Sequence, residues 1–405
     1  MTSHISATEF DGVLDLPPNA AINHALGANH DLDTGLDELI DNAIDAGATN
    51  IAIVLHVDGH RLQQISIHDD GRGMSQEKIT EVLRLGGHSA QSETNIGRYG
   101  MGLKEGSFAN SEQPTILSRR RGDYPHGYQL SKDSFTAGVL NERAVTKAWN
   151  LRHGLVTLSH GTTILWDGLT NVYLGDDSQA GQRFVSQQLE KLRKHIGIRY
   201  HRFVESERLN VSLRISWDGE APTPTPAIRA INPFGYNKSG QRGYPRLLTQ
   251  GGNPDAPGIT AHIWTNRSNN DAFHLEAKDE LGHQGFYIYD ADRLITQGDW
   301  SGVQEPRKEL KLLRIDVSDP RIIDRYITIS PQKGSVRFSE DFHRFLGSLK
   351  SPDDPSITLE TVFAAAAATL KESNRKSALH DLECVADHGV GFGVAQHVEV
   401  LAGTR

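Results

Sequence analysis

The stretch GLDELIDNAIDAG, residues 35–47, combines a helical apolar repeat with an unusual concentration of acidic and amide side chains. At about 100° per residue, its apolar residues form one arc of a helix and its polar residues lie on the opposite face. The apolar arc contains Leu36, Leu39, Ile40, Ala43 and Ile44, and the polar face contains Glu38, Asp41, Asn42 and Asp45. Spacing alone is more typical of a helix with a solvated acidic face than of a functional site.

The flanks of this stretch indicate where the helix ends and which element comes next. Thr34 with Asp37 three residues later resembles a capping box, and Gly47 suits the position after the last helical residue. Apolar residues then alternate at 51–57 and again at 65–67, separated by a turn at Asp58 and Gly59. This pattern predicts a β-hairpin that leads directly into DDGRGM, residues 69–74.

The composition limits the classes of protein that this chain can belong to. With 405 residues, of which 37% are hydrophobic, it is long enough for two or more domains. Its 42 basic and 51 acidic residues give a net charge of −9, which argues against nucleic-acid binding by the whole surface but allows a local basic patch. The single Cys384 excludes an internal disulfide framework and a multi-cysteine metal site. Neither a signal peptide nor a membrane-spanning run is recognisable, so we expect a cytoplasmic protein.

A second informative stretch is NIGRYGMGLKEGSF, residues 95–108. Its glycines allow a backbone to approach a ligand closely, and the pattern after Gly102 predicts that a helix begins there. The N–H groups of such a loop and helix N-terminus suit a phosphate. The spacing is not that of a Walker A loop, because Leu103 precedes Lys104, nor that of a Rossmann loop, because it is G-x-x-G-x-G. Taken alone, this loop is weak evidence for phosphate binding.

Three motifs in order narrow the interpretation: E-x-x-x-N-x-x-D-A at 38–46, D-x-G-x-G-M at 69–74 and G-x-x-G-x-G-L-K at 97–104. Together they resemble the GHKL ATPases, the superfamily of DNA gyrase B subunits, heat-shock chaperones, sensor histidine kinases and MutL. The segment HGTTILW, residues 160–166, is similar to the late Gly-Thr strand of that superfamily. The segments ELIDNAIDAGAT, LRLGGHSA and IGRYGMGLKEGSF most resemble microrchidia (MORC) ATPases. With neither a zinc-binding reader nor long coiled coils recognisable, the resemblance is to a compact prokaryotic MORC-like protein.

The resemblance implies an α/β fold, in detail a two-layer Bergerat-type sandwich that binds ATP and Mg²⁺. Asn42 would offer an amide oxygen to Mg²⁺, and Glu38, one helical turn earlier, would orient or deprotonate the attacking water. Asp69 would accept a hydrogen bond from the adenine amino group, beside a turn that Gly71 and Gly73 permit.

The resemblance also implies that residues 86–104 form a mobile lid whose glycines permit closure over the phosphates. Met74 would pack on the base, and Asp45 would support the loops rather than contact nucleotide. His88 is more consistent with exposed lid surface than with a catalyst. The remaining implied nucleotide contacts are Gly97, Arg98, Tyr99, Gly100, Met101, Gly102, Leu103, Lys104 and Thr162.

A weaker resemblance covers residues 185–350 and concerns the S5-like transducer domain of MORC and MutL relatives. It rests on LRKHIGIRYHRFV, INPFGY, GFYIYDADRLI and PQKGSV. In that family a transducer lysine reaches the γ-phosphate, and Lys333 is the matching candidate, although an ordinary turn lysine is equally consistent. We therefore expect a GHKL domain at 1–175, a transducer domain at 176–350 and a helical C-terminal tail at 351–405.

The functional hypothesis is a Mg²⁺-dependent ATPase that dimerises on binding ATP and acts on DNA, in defence against foreign DNA, or on a protein client. A nucleotide-gated, chaperone-like interaction module with little turnover is the alternative. A histidine kinase is disfavoured because only 37 residues precede Glu38, whereas a phosphoacceptor helix pair normally precedes that domain. The basic residues at 119–121 and 191–202 are more consistent with solvated faces than with DNA contacts.

Overall fold

The computed structural model of the chain describes residues 31–83, 102–134, 136–236, 240–265, 270–276, 280–330 and 335–387. By packing, the chain divides into two units. The first runs to Asn232 and also takes in Asp290–Ile295 and Ile329–Ser335, and the second comprises Pro233–Tyr289, Thr296–Thr328 and the residues from Val336 onward. Both contain helices and largely antiparallel sheets, so the mixed α/β class is confirmed. Within the described ranges, no helix has the length and apolar character needed to cross a membrane.

The first unit is built on an eight-stranded sheet with the order β5-β4-β3-β6-β2-β1-β7-β8. The pairs are antiparallel except for β1 with β7, which is parallel. The strands are β1 (Asn50–Asp58), β2 (Arg61–Asp69), β3 (Ser111–Arg119), β4 (His126–Leu130), β5 (Ala137–Val139), β6 (Gly161–Leu169), β7 (Asn210–Trp217) and β8 (Thr223–Pro224).

Six helices belong to this unit in the described ranges. They are α1 (Leu32–Asp45), α2 (Gln76–Val82), α3 (Gly102–Asn110), α4 (Glu142–Trp149), α5 (Ser178–Arg199) and α6 (His201–Glu205). The side chains of Ser75, Asn141 and Asp177 accept hydrogen bonds from the first turns of α2, α4 and α5, as expected for N-caps. The helix that the sequence predicts from Gly102 onward is confirmed as α3.

Both faces of the central strands are buried. Apolar residues of β1 and β2, such as Ile53 and Ile67, share one core with α1 and α5. On the other face, Leu117 and Leu165 pack with Val145 and Trp149 from α4. Because side chains alternate between the faces of a strand, covering both faces explains why β1 reads as a nearly continuous apolar run.

The N-terminus of α1 differs from the sequence prediction. The helix begins at Leu32 with Asp31 at the N-cap position, so Thr34 lies inside the first turn. Its hydroxyl donates to Asp31 O, and the capping box predicted from Thr34 and Asp37 is wrong. At the other end, Gly47 has φ of +74° and follows the C-cap Ala46, which confirms the predicted stop.

The second unit contains most of a six-stranded sheet with the order β12-β11-β13-β10-β9-β16, in which β11 and β13 are parallel. Its strands are β9 (Arg246–Gln250), β10 (Gly258–Ile263), β11 (Gly285–Asp290), β12 (Arg293–Gln297), β13 (Leu313–Val317) and β16 (Leu349–Lys350). A two-stranded sheet pairs β14 (Ile327–Ile329) with β15 (Val336–Phe338). The helices are α7 (Asp271–His274), α8 (Pro320–Tyr326), α9 (Glu340–Gly347) and α10 (Leu359–Asp387).

Aromatic side chains fill the core of the second unit. Phe286 contacts Trp300 and Phe342 with ring centroids 5.2 and 5.7 Å apart, in edge-to-face geometry. Phe363, in the first turns of α10, lies 5.6 Å from Trp300, so the start of this helix packs on the sheet. The fully buried Arg314 donates to the carbonyls of residues 233, 272 and 273, and thereby ties a loop and α7 to β13.

Candidate functional site

Helix α1 presents Glu38 and Asn42 one turn apart on the same face, as the sequence predicts. Glu38 is buried, and a β-carbon on Gly102 would overlap its Oε2 atom. The start of α3 therefore lies directly against the Glu38 carboxylate, and a β-carbon at position 102 would push that carboxylate aside. Helix α3 is held in this position by Ser107, whose Oγ accepts a 3.0 Å hydrogen bond from Trp166 Nε1 on β6.

Asn42 is the residue predicted to bind Mg²⁺. Its Nδ2 atom is buried and has no hydrogen-bond partner among the described residues, so these residues do not hold the amide nitrogen in place. A single amide oxygen fits an ion that binds chiefly through phosphate oxygens and water rather than through a cage of protein ligands. The side chain is thus compatible with the predicted metal.

The DDGRGM turn is tied to the C-terminus of α1. Arg72 N donates to Ala46 O at 2.9 Å, and the Arg72 guanidinium donates to Asp45 O at 2.7 Å. The Asp70 carboxylate accepts from the backbone N–H groups of Thr49 and Asn50, at 2.7 and 2.8 Å. These contacts fix the turn relative to the helix that contains Glu38 and Asn42.

Asp69 lies at the end of β2, where the predicted adenine-binding residues converge. Its Oδ1 accepts hydrogen bonds from Gly71 N at 2.8 Å and Thr162 N at 3.2 Å. Its Oδ2 accepts none from the described residues and so keeps its capacity to accept a hydrogen bond. Burial raises the pKa of Asp69 to about 6, against the lowering effects of Arg152 and the two amide hydrogen bonds.

Gly73 and Met74 complete the turn. Gly73 has φ of +67°, and a β-carbon there would overlap Arg119 O, so both the conformation and the space require glycine. Met74 is half-buried, and its N–H donates to Ser118 Oγ at 2.9 Å. Its predicted packing against a base stays a prediction.

Lys104 is a buried cation in the first turn of α3, next to the buried Leu103. Burial lowers the pKa of Lys104 to about 8, and no carboxylate pairs with it among the described residues. A lysine in this position gains an electrostatic partner when an anion approaches the helix N-terminus, where backbone N–H groups also point outward.

Several predicted contacts lie outside the described residues. They are Gly97, Arg98, Tyr99, Gly100, Met101 and the transducer candidate Lys333, together with the lid residue His88. The predictions for these residues stay predictions.

The acidic residues of α1 are not a solvated face, contrary to the interpretation that spacing alone favoured. Asp33, Asp37 and Asp41, spaced four residues apart, are all buried, and we call them the acidic ladder. Lys191 Nζ lies 3.0 Å from Asp33 Oδ2, and His195 Nε2 lies 3.0 Å from Asp37 Oδ2. These α5 partners have the same four-residue spacing, and the two matching repeats are the signal that could have predicted the pairing.

Arg293, the first residue of β12, completes this network. Its guanidinium pairs with Asp41 and lies 3.1 Å from Asp37 Oδ2. Tyr200 OH lies within hydrogen-bond distance of Asp41 Oδ1, at 2.9 Å, and of Asp37 O, at 3.0 Å. Burial by itself would raise the pKa of Asp37, but His195 and then Arg293 hold it well below its usual range. The network fixes the rotation of α1 and so the direction of Glu38 and Asn42.

This combination of a Glu-Asn helix, an aspartate turn and a glycine-initiated helix resembles the arrangement found in the GHKL class of ATPases. Residues 30–162 match the family described as histidine kinase-, DNA gyrase B-, and HSP90-like ATPase. Among curated proteins, the chain is 36% identical over 89 residues to "ATPase morc-1" of Caenorhabditis elegans, which is 22% of this chain and 10% of that protein.

Two further relatives show the same relationship. "DNA mismatch repair protein MutL" of Xylella fastidiosa is 39% identical over 108 residues, 25% of this chain and 17% of that protein. "Protein MICRORCHIDIA 3" of Arabidopsis thaliana is 33% identical over 86 residues, 20% of this chain and 15% of that protein. The matches thus span less than a fifth of the length of these relatives. They confirm the GHKL and MORC-like resemblance of the first unit.

Proposed function

We propose that the protein is a Mg²⁺-dependent ATPase that uses ATP binding and hydrolysis as a conformational switch. The observation that supports this most directly is the contact between the Glu38 carboxylate and Gly102. It places a candidate general base against the start of the helix whose N–H groups and Lys104 suit phosphates. Asn42 lies one turn further along the same helix, and Asp69 precedes the turn that Arg72 ties to the end of that helix.

Each of these residues has a distinct chemical task in the proposed reaction. Asp69 Oδ2 accepts a hydrogen bond from the adenine amino group, while Gly71 and Thr162 hold Oδ1. Lys104 binds a phosphate oxygen, and its burial strengthens that attraction. Asn42 would hold Mg²⁺ through its amide oxygen, and the ion would supply positive charge that offsets the charge of the phosphates. Glu38 orients the attacking water and accepts its proton.

The finer architecture belongs to the same proposal. The first unit would be a Bergerat-type sandwich, and the sheet of the second unit an S5-like transducer followed by a helical tail. The resemblance suggests 1–175, 176–350 and 351–405 as the domain limits, whereas by packing residues 176–232 belong to the first unit. We propose Lys333 as a transducer contact to the γ-phosphate. ATP-dependent homodimerisation, a cytoplasmic location and a DNA client extend the proposal, and a mismatch-repair MutL among the relatives supports the DNA client.

Steady-state ATP hydrolysis by wild type and Glu38→Gln tests the reaction. The amide keeps the size of the side chain but cannot accept a proton, so turnover should fall by roughly 10²–10⁴-fold while ATP still binds. Glu142→Gln, an exposed change in the first turn of α4, is the matched control and should hydrolyse ATP as wild type does. Undiminished turnover in Glu38→Gln would contradict the assigned base.

The alternative is a nucleotide-gated interaction module that hardly turns over. The same assay distinguishes it, because such a module binds ATP with no turnover above a Glu38→Gln background. Sedimentation of Glu38→Gln with ATP then tests the dimer, which should accumulate when hydrolysis is blocked. A monomer at protein concentrations well above the nucleotide affinity would rule out ATP-driven dimerisation.

A further inference from the structure

A fully buried arginine lies behind the Asp69 turn. Arg152 ends the short 3₁₀ segment Asn150–Arg152 after α4, and its guanidinium carbon lies 4.3 Å from the ring centroid of Trp149. No carboxylate oxygen forms an ion pair with it in the described part of the chain. Burial lowers the pKa of Arg152 to about 10, although Asp69 and Asp70 oppose the shift, so the group is a cation at neutral pH.

All five N–H donors of this guanidinium are used. Nε donates to Thr157 O at 3.0 Å. Nη1 donates to Thr162 O at 2.7 Å and to Thr163 Oγ1 at 2.9 Å. Nη2 donates to Asp69 O at 2.5 Å and to His160 O at 2.9 Å. One planar group therefore joins the end of β2, the start of β6 and the loop that precedes β6.

These bonds fix both the predicted base acceptor and one of its donors. Arg152 holds the carbonyls of Asp69 and Thr162, and Thr162 N donates to Asp69 Oδ1. The approach is so close that a β-carbon on Gly161, where φ is +117°, would overlap Asp69 O and lie 2.5 Å from Arg152 Nη2. Arg152 thus sets the position of the Asp69 carboxylate through these carbonyls, without bonding to the carboxylate itself.

Arg152 is also the cation that acts on the charge of this carboxylate. Burial raises the pKa of Asp69 and so favours its protonation, whereas Arg152 lowers this pKa. The neighbouring Asp70 raises it further. His68 on β2 stays neutral because burial, with Arg152, lowers its pKa to about 3. His160 contacts Gly71 O through Nδ1 at 2.8 Å. Loss of the guanidinium would shift Asp69 towards the protonated form at neutral pH.

We propose that Arg152 is a positioning residue for base selectivity, which keeps Asp69 a fixed, ionised acceptor and so favours adenine over guanine. This inference rests on the proposed function. An ionised carboxylate only accepts hydrogen bonds, and it matches the amino group of adenine. Guanine has a carbonyl oxygen at the equivalent position, which a carboxylate repels but a protonated carboxyl group can bind by donating. Protonation of Asp69 would therefore relax the selectivity.

The first test compares Mg·ATP and Mg·GTP affinities by calorimetry between pH 6 and pH 9. Arg152→Met removes the charge and the donors at similar length, so its ATP preference at pH 7 should fall by about tenfold or more and recover at pH 9. Arg152→Lys keeps the charge and should hold the pH midpoint near that of wild type. Asp69→Asn is the control, and its weak preference should not change with pH. A purely structural role would give a loss that pH does not restore.

The second test needs no nucleotide. The ¹³C-carboxyl titration of Asp69, assigned by its absence in Asp69→Asn, should have a midpoint near pH 6 in wild type and at least about one unit higher in Arg152→Met. Equal midpoints and equal selectivity in wild type and Arg152→Met would overturn the inference. If Arg152→Met does not fold, Arg152→Gln takes its place in the same titration, and a midpoint equal to that of wild type overturns the inference.

The two proposals fail in different ways. A wild-type protein that binds neither ATP nor GTP contradicts the proposed function, whereas the carboxyl titration still shows whether Arg152 controls Asp69. A wild type that prefers ATP, with an Arg152→Met variant that prefers it equally across the pH range, contradicts only the role of Arg152.

Discussion

Replacing Arg293 by methionine should destabilise the first unit more than any surface change. Arg293 is 2% exposed and forms ion pairs with Asp37 and Asp41 of the acidic ladder. Methionine fills much of the same space but leaves two buried carboxylates with one cation fewer. His195 remains beside Asp37, while Asp41 retains the neutral hydroxyl of Tyr200.

The expected cost follows from the burial of both partners. Breaking a buried ion pair by removing one member costs about 3–5 kcal/mol, because it leaves an uncompensated charge rather than because the pair itself is worth that much. The double contact of Arg293 places the variant in this range. The triple variant Arg293→Met, Asp37→Asn, Asp41→Asn should recover most of the loss, because it removes the charges together.

Hydrogen–deuterium exchange of the α1 amides is the appropriate assay, because a chain of two units need not unfold in one transition. A loss of about 3–5 kcal/mol corresponds to exchange that is roughly 10²–10⁴-fold faster. Arg208→Met is the matched control. Arg208 also pairs with an aspartate, at 2.6 Å from Asp292 Oδ2, but its side chain is 50% exposed, and its loss should cost less than about 1 kcal/mol.

The effect should also depend on pH. The pKa of Asp37 is held well below its usual range in the folded protein, so this carboxylate contributes stability above its unfolded pKa near 4, and that contribution is lost as the pH falls. Arg293→Met raises the folded pKa of Asp37 and removes part of the contribution, so wild type and variant should converge towards acid pH. A penalty below about 1 kcal/mol at pH 7, or a penalty that does not shrink as the pH falls from about 4 to about 2, would refute the role assigned to the network.

Three other variants address the candidate site. Gly102→Ala puts a β-carbon onto Glu38 Oε2, so hydrolysis should fall by about 10²-fold or more with little loss of folding, and unchanged turnover would show that this contact is not needed. Asn42→Ala should abolish the Mg²⁺-dependent part of ATP affinity in calorimetry, and an unchanged Mg²⁺ effect would remove Asn42 as the metal ligand. Asp69→Asn should stabilise the unliganded protein at pH 8 by about 2–3 kcal/mol, because the folded pKa is raised from 3.8 to about 6 and ionisation opposes folding. This gain should disappear below about pH 4, and a gain independent of pH in thermal unfolding would contradict the raised pKa.

The local patterns of the sequence were sufficient for much of the first unit. The 3.6-residue repeat places α1, and the two-residue alternation places the β1–β2 hairpin, because each depends on neighbours within a few residues. The motif order also predicted that Glu38 and Gly102 belong to one site, and the structure places them in contact. The start of α1 was missed because Asp31 and Thr34 are both acceptable cap residues, and sequence alone does not decide between them.

Contacts between distant residues were beyond the reach of those patterns. His195 is 158 residues from Asp37, and Arg293 is 252 residues from Asp41. The spacing of the acidic ladder shows that three carboxylates share a helix face, but it does not show which of 42 basic residues meets them. Arg152 was missed for the same reason, since its importance lies in five acceptors that only the folded loop brings together.

The acidic ladder also has a consequence for how such a chain can evolve. A substitution at position 37 alone leaves His195 and Arg293 with a missing anion, and a substitution at 293 alone leaves buried carboxylates. Substitutions that preserve stability at these positions would therefore have to occur in pairs, each compensating for the other. In a deep family alignment, positions 37, 41, 195 and 293 should covary, although they lie in three distant parts of the chain. The helix that bears Glu38 would then be inherited together with residues that never touch a nucleotide.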